Sequence, residues 1–193
     1  MGKRQHQPSK QPHYPVSLVL PPSLFLGPCS AASSKRFLTS NSITDVLSIG
    51  ASPSQEGRVD GVAYHRLSIN DSTSSSISQV ADTACEIIDG ATMASETKAR
   101  GSGGGKILVH CSAGISHSPM IVAAYLMRRK GMTLKAALGQ IVRVRPQVSP
   151  NAGFLQQLKE MEKVLFETTV SSLEGVDELP RREKDRLALF EEK

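Results

Sequence analysis

One junction constrains this chain more than any other feature. The short apolar run Lys106–Val109 leads into His110-Cys111-Ser112-Ala113-Gly114-Ile115-Ser116-His117-Ser118, and then into Pro119. Met120-Ile121-Val122-Ala123-Ala124-Tyr125-Leu126-Met127 follows and is apolar nearly all round, so the helix it forms belongs inside the fold. Pro119 is tolerated in the first helical turn, and Gly131 ends the helix. A strand, a small-residue loop and a buried helix in that order form an anion cradle. Backbone N–H groups of the loop and first turn point inward, and the helix dipole adds about half a positive charge.

The charge pattern agrees. The net charge is +5, but residues 1–96 carry 7 basic and 8 acidic residues, and residues 160–193 carry 6 basic and 10 acidic residues. Residues 97–159 between them carry 10 basic residues and no acidic one. A stretch of that length without a carboxylate is either a solvated basic face or a site for an anion.

Composition excludes several classes. No run of apolar residues is long enough to span a membrane, and the opening MGKRQHQPSKQPHYP has no apolar signal core. His6 stands where a myristoylation signal has Ser or Thr. Cys29, Cys85 and Cys111 are widely spaced, so neither a zinc site nor a disulfide framework is expected, and a reduced intracellular compartment fits. Gly103-Gly104-Gly105-Lys106 imitates a nucleotide-binding loop, but position 100 is Arg, Ile107 follows the lysine, and the glycines precede a strand.

The remaining elements follow from periodicity. Residues 1–16 read as a disordered basic arm. Ser17–Leu20, Leu24–Leu26, Asp45–Ile49 and Val62–Ile69 read as strands, with a short helix over Ala31–Leu38. From Ser76, the spacing of Ile77, Val80, Ala84, Ile87 or Ile88, and Ala91 gives an amphipathic helix. Glu96–Gly105 reads as a surface insertion. Helices are expected over Thr133–Val142 and Asn151–Phe166, with a charged tail at 168–193 in which Leu187–Phe190 forms a marginal helix. The expectation is one α/β domain over 17–167. It has a mixed, mostly parallel sheet of about five strands flanked by helices, and flexible arms on either side.

Cys111 sits at the mouth of the cradle. Aimed N–H groups lower a thiol pKa, which makes Cys111 a thiolate near neutral pH. A thiolate beneath a phosphate nest points to covalent phosphoryl transfer. Ala113 and Gly114 let the backbone approach a ligand closely.

The loop from His110 to Ser118 resembles that of the dual-specificity protein phosphatases, within the Cys-based protein tyrosine phosphatase superfamily. Four further segments are similar to the family. They are Leu24-Phe25-Leu26-Gly27, Ile43–Ile49, Ala124–Met127, and Arg145-Pro146-Gln147-Val148-Ser149-Pro150-Asn151-Ala152-Gly153-Phe154. The resemblance implies hydrolysis of phosphotyrosine and phosphoserine or phosphothreonine through a phosphocysteine on Cys111. It implies that Ser112, Ala113, Gly114, Ile115, Ser116 and His117 bind phosphate, and that Ser118 hydrogen-bonds the sulfur and eases its departure. Asp71 would be the acid and then the base, although Asn70-Asp71-Ser72 is also an ordinary turn sequence. His110 and Asn151 would support the loop from behind.

One residue departs from the pattern. The family has Arg six residues after the nucleophile, and this chain has His117. An arginine fork grips two phosphate oxygens, whereas an imidazole gives one donor and is mostly neutral at pH 7. Two functions therefore stand open: a phosphatase with impaired activity, and a non-catalytic pseudophosphatase that binds phosphoproteins or kinases. Arg143 or Arg145 reaching into the pocket is a conceivable compensation. No metal or organic cofactor is expected. The expected partner is a phosphorylated protein, with no membrane or nucleic acid, and the chain is expected to be a monomer. The expected location is the cytoplasm, with Lys3-Arg4 and Arg128-Arg129-Lys130 as patches of nuclear-import type.

Overall fold

Residues 15–69, 77–93 and 105–191 are described in the computed structural model. Asp71, residues 1–14 of the arm and most of the insertion at 96–105 lie outside them.

Five strands form one mixed sheet: β1 (Ser17–Leu20), β2 (Leu24–Pro28), β3 (Asp45–Ile49), β4 (Ala63–Leu67) and β5 (Ile107–Cys111). Their spatial order is β1-β2-β5-β3-β4, with β1 antiparallel to β2 and every other pair parallel. The anticipated mixed, mostly parallel sheet is therefore the observed one. β5 is central and buried along its whole length, as expected of a parallel strand covered on both faces.

Side chains alternate across this strand. Ile107, Val109 and Cys111 join the large core beneath the C-terminal helices, whereas Leu108 joins a smaller core with Phe25, Leu38 and Val46. The smaller core lies under α1 (Cys29–Ala32) and α2 (Lys35–Ser40). One helix was anticipated over Ala31–Leu38. The chain forms two because Ser34 leaves helical geometry and accepts a hydrogen bond from the Phe37 amide, starting α2 afresh.

The opposite face is covered by α3 (Ile77–Met93), α4 (His117–Lys130), α5 (Leu134–Val144) and α6 (Ala152–Phe166). In α4 every residue from Ser118 to Met127 is buried, which is the burial its all-round apolar sequence requires. Gly131 ends it in the left-handed region at φ 63°, which a residue without Cβ adopts at no steric cost. Arg128 and Arg129 at its last turn pair with Asp82 and Asp89 of α3, so two of the three cations of that patch tie helices together. Among the described residues, no helix is long and apolar enough to cross a membrane.

The C-terminal segment differs from expectation. Leu173, Leu179 and Phe190 are buried in the main core, and α7 (Glu183–Leu189) precedes Phe190. The apolar residues are too widely spaced to announce a packed segment, but each is buried in the main core. Phe190 lies against Gly139 of α5, where a Cβ would stand only 3.2 Å from the Phe190 Cβ. The N-terminal boundary shifts too, since Pro15 and Val16 belong to the fold. The Pro15 carbonyl accepts from Arg145, and Val16 packs beside Gly27.

Phe190→Ala is expected to cost about 3 kcal/mol in urea unfolding, in line with truncating a buried aromatic ring. A loss below about 0.5 kcal/mol would mark a tail that does not pack.

Candidate active site

The site forms where β5 ends and α4 begins. Cys111 is the last strand residue and His117 the first helical one, so the loop is Ser112–Ser116. Register pairs Cys111 with Pro28 and His110 with Gly27 of β2, and Ser48 of β3 also sits beside His110.

The loop is held from behind at four consecutive carbonyls. Ser112 O accepts from the Cys29 amide at 3.1 Å, and Ile115 O accepts from the Ser149 amide at 2.9 Å. Between them, Ala113 O accepts from Arg145 Nη2 at 3.1 Å and Gly114 O from Arg145 Nε at 2.7 Å. In a trans peptide, C=O and the next N–H point in opposite directions. Fixing these four carbonyls rearward therefore turns the amides of Ala113, Gly114, Ile115 and Ser116 forward. The result is a nest of N–H dipoles for an anion.

Cys111 lies in that nest with 5% of its surface exposed. The Gly114 amide and Ser118 Oγ each donate to its sulfur at 3.2 Å. Burial alone raises the thiol pKa. The Ser118 hydroxyl and the amides of Ser118, Gly114 and Ile115 outweigh it, so the thiol ends below its ordinary value. Ser116, the residue before α4, makes no side-chain cap; its Oγ instead accepts from the Asn151 amide at 3.2 Å. The first turn of α4 is thus left facing the site.

Gly114 is required by geometry. Its φ is +68°, and a Cβ there would lie 2.5 Å from Gly27 O and 2.8 Å from Arg145 Nη2. The close fit lets Arg145 reach two successive carbonyls.

Neither Arg143 nor Arg145 compensates for His117. Arg145 is fully buried behind the loop, and its donors go to the Ala113, Gly114 and Pro15 carbonyls. Burial lowers its pKa while the facing Cys111 raises it, and the guanidinium stays charged. Arg143 Nη2 donates to Phe190 O at 3.2 Å, on the C-terminal segment. The sequence presented Arg145 as a cation; which way it points depends on the turn at 145–148, where Val148 N bonds Arg145 O.

His110 is fully buried and braces the strand. Nδ1 lies 3.3 Å from the Cys111 carbonyl and Nε2 lies 2.8 Å from Ser48 Oγ. Burial lowers its pKa, so the ring is neutral. The carbonyl can only accept, which puts the proton on Nδ1 and leaves Nε2 to accept from Ser48. Ser48 was not among the residues read from sequence, because its pairing depends on β3–β5 register. Asn151 caps α6, with Oδ1 accepting from the Phe154 amide at 2.8 Å. The His117 ring packs edge-on against Phe154, with centroids 5.1 Å apart and planes at 69°.

The three thiols should separate by reactivity. Burial pushes Cys85 up to about 11 and raises Cys29, whereas Cys111 is lowered. A lowered pKa keeps the thiolate populated as pH falls, until pH passes the folded value. Iodoacetamide at about pH 6 should therefore alkylate Cys111 first, and inorganic phosphate should slow it. Equal alkylation of all three sites would contradict the nest.

The catalytic-domain model of the dual specificity phosphatases matches residues 24–164. Dual specificity protein phosphatase 1 of Arabidopsis thaliana is 37% identical over 148 residues, which are 77% of this chain and 70% of that protein. Other, longer relatives are spanned over 42% and 40% of their length. The crystal structure of human DUSP28 is similar with a TM-score of 0.67 at 30% identity, covering 79% of this chain and 95% of that one. Human tyrosine phosphatase-like serine/threonine/tyrosine-interacting protein gives a TM-score of 0.64 at 31% identity, covering 78% and 97%. With its family-model match and the fold and loop described above, this chain belongs to the dual-specificity phosphatase family.

Proposed function

We propose that this chain hydrolyses phosphotyrosine and phosphoserine or phosphothreonine in proteins through a phosphocysteine, at a rate held down by His117. The observation that carries the reading is the Cys111 sulfur, which receives hydrogen bonds from Ser118 Oγ and the Gly114 amide inside the forward-facing nest.

Cys111 Sγ attacks phosphorus as the bond to the leaving oxygen breaks. Asp71 protonates that oxygen, an assignment that rests on the resemblance of its position to the family's acid. Water then attacks the phosphocysteine while Asp71 takes its proton, and the S–P bond breaks. Ser118 Oγ stabilises the departing thiolate. The amides of the nest hold the equatorial oxygens as charge redistributes.

His117 limits the rate. An imidazole replaces a bidentate cation with one donor, and losing one pre-aimed donor costs about 10²–10³ in rate. A second reading, a phosphoprotein binder without turnover, is favoured by the same residue and by the likeness to a protein whose name reads phosphatase-like and interacting.

An aryl phosphate assay over about pH 5–8 separates the readings. The wild type should show slow turnover that Cys111→Ser abolishes, and His117→Arg should raise kcat about 10²-fold. Turnover by His117→Arg alone would transfer the assignment to the binder, to be followed by phosphopeptide capture.

A further inference from the structure

We propose that residues 168–191, which lie beyond the matched catalytic domain, are a positioning element for the phosphate loop, with Arg186 as the positioning residue. Family membership accounts for residues 24–164. The later residues nevertheless pack into the core and contact the turn that holds the loop.

Arg186 is 6% exposed. Its Nε donates to Pro146 O at 2.8 Å, and Nη1 donates to Pro180 O at 2.6 Å and to Arg181 O at 3.0 Å. A buried guanidinium that gives its donors to carbonyls repeats the arrangement of Arg145. Removing it would leave those carbonyls without these donors.

Pro146 is the residue after Arg145. The same short stretch supplies the two Arg145 donors to Ala113 O and Gly114 O, the Ser149 amide to Ile115 O and the Asn151 amide to Ser116 Oγ. Arg186 thus fixes the support from which three of the four loop carbonyls are held. The other anchors of the segment do different work. The Glu162 carboxylate accepts from Ser171 Oγ at 2.6 Å, the Ser172 amide at 2.8 Å and Ser172 Oγ at 2.7 Å. They seat the start of the segment on α6, and the same carboxylate accepts from the Leu134 amide at 2.7 Å, at the opposite end of α5 from Arg145.

If Arg186 only glued the segment down, its loss would lower stability and leave the thiol unchanged. If it positions the loop, its loss lets the carbonyls relax and the forward amides turn away from sulfur. The Cys111 pKa then rises. This proposal depends on the phosphatase reading only for its effect on turnover, because thiol reactivity is measurable in a chain with no turnover at all.

The test is alkylation of Cys111 by iodoacetamide across pH in the full chain, followed by mass spectrometry. Arg186→Gln should shift the pH profile upward and slow alkylation at about pH 6 by roughly ten-fold, the fall in thiolate population that a rise of about one pKa unit produces. On aryl phosphate it should lower kcat more than it raises KM. Glu162→Gln, which loosens the other end of the segment, should lower the melting temperature and leave the Cys111 profile in place. Where Arg186→Gln does not fold, Arg186→Lys serves and should give an intermediate upward shift. An unchanged profile in the folded Arg186 variant, or an equal shift in Glu162→Gln, overturns the proposal.

Discussion

The site depends on carbonyl groups being fastened on the side away from it. Four successive loop oxygens, from Ser112 to Ile115, each accept a hydrogen bond from Cys29, Arg145 or Ser149. Peptide planarity converts that rear fastening into a forward set of N–H donors. The thiol then lies below its ordinary pKa in a buried place that would otherwise raise it. Burial strengthens the effect, because dipoles in a low-dielectric setting act more strongly than in water.

Much of the fold serves this fastening. Parallel pairing of β2 with β5 brings Gly27 and Cys29 beneath the loop, and the fully buried α4 presents its N-terminus to it. The cost is a buried guanidinium that, among the described residues, has no carboxylate partner, which is tolerable because its donors meet carbonyl oxygens. Arg145 carries positive charge close to the thiolate from the rear and holds the loop's shape. It does not replace the cation absent at His117 on the phosphate side.

The sequence disclosed the elements governed by local rules. The apolar run at 120–127 announced a buried helix, and the spacing over Asn151–Phe166 announced α6, which Asn151 caps. Long-range partners were not legible. Ser48 meets His110 only through strand register, and Arg145 points behind the loop because of its turn. Charged residues dominate the C-terminal segment and mask its packing, while Leu173, Leu179 and Phe190, widely spaced along it, join the main core. Asp71 was identified by resemblance and lies outside the described residues.

In the proposed mechanism Cys111 Sγ receives phosphorus, and His117 slows the transfer without preventing it. Rapid quenching of wild type mixed with an aryl phosphate, followed by peptide mass spectrometry, tests this directly. A phosphoryl group on the Cys111 peptide, absent from Cys111→Ser, is the predicted result. Release of aryl alcohol with no phosphorylated Cys111, or phosphate found on Ser118 instead, would contradict it.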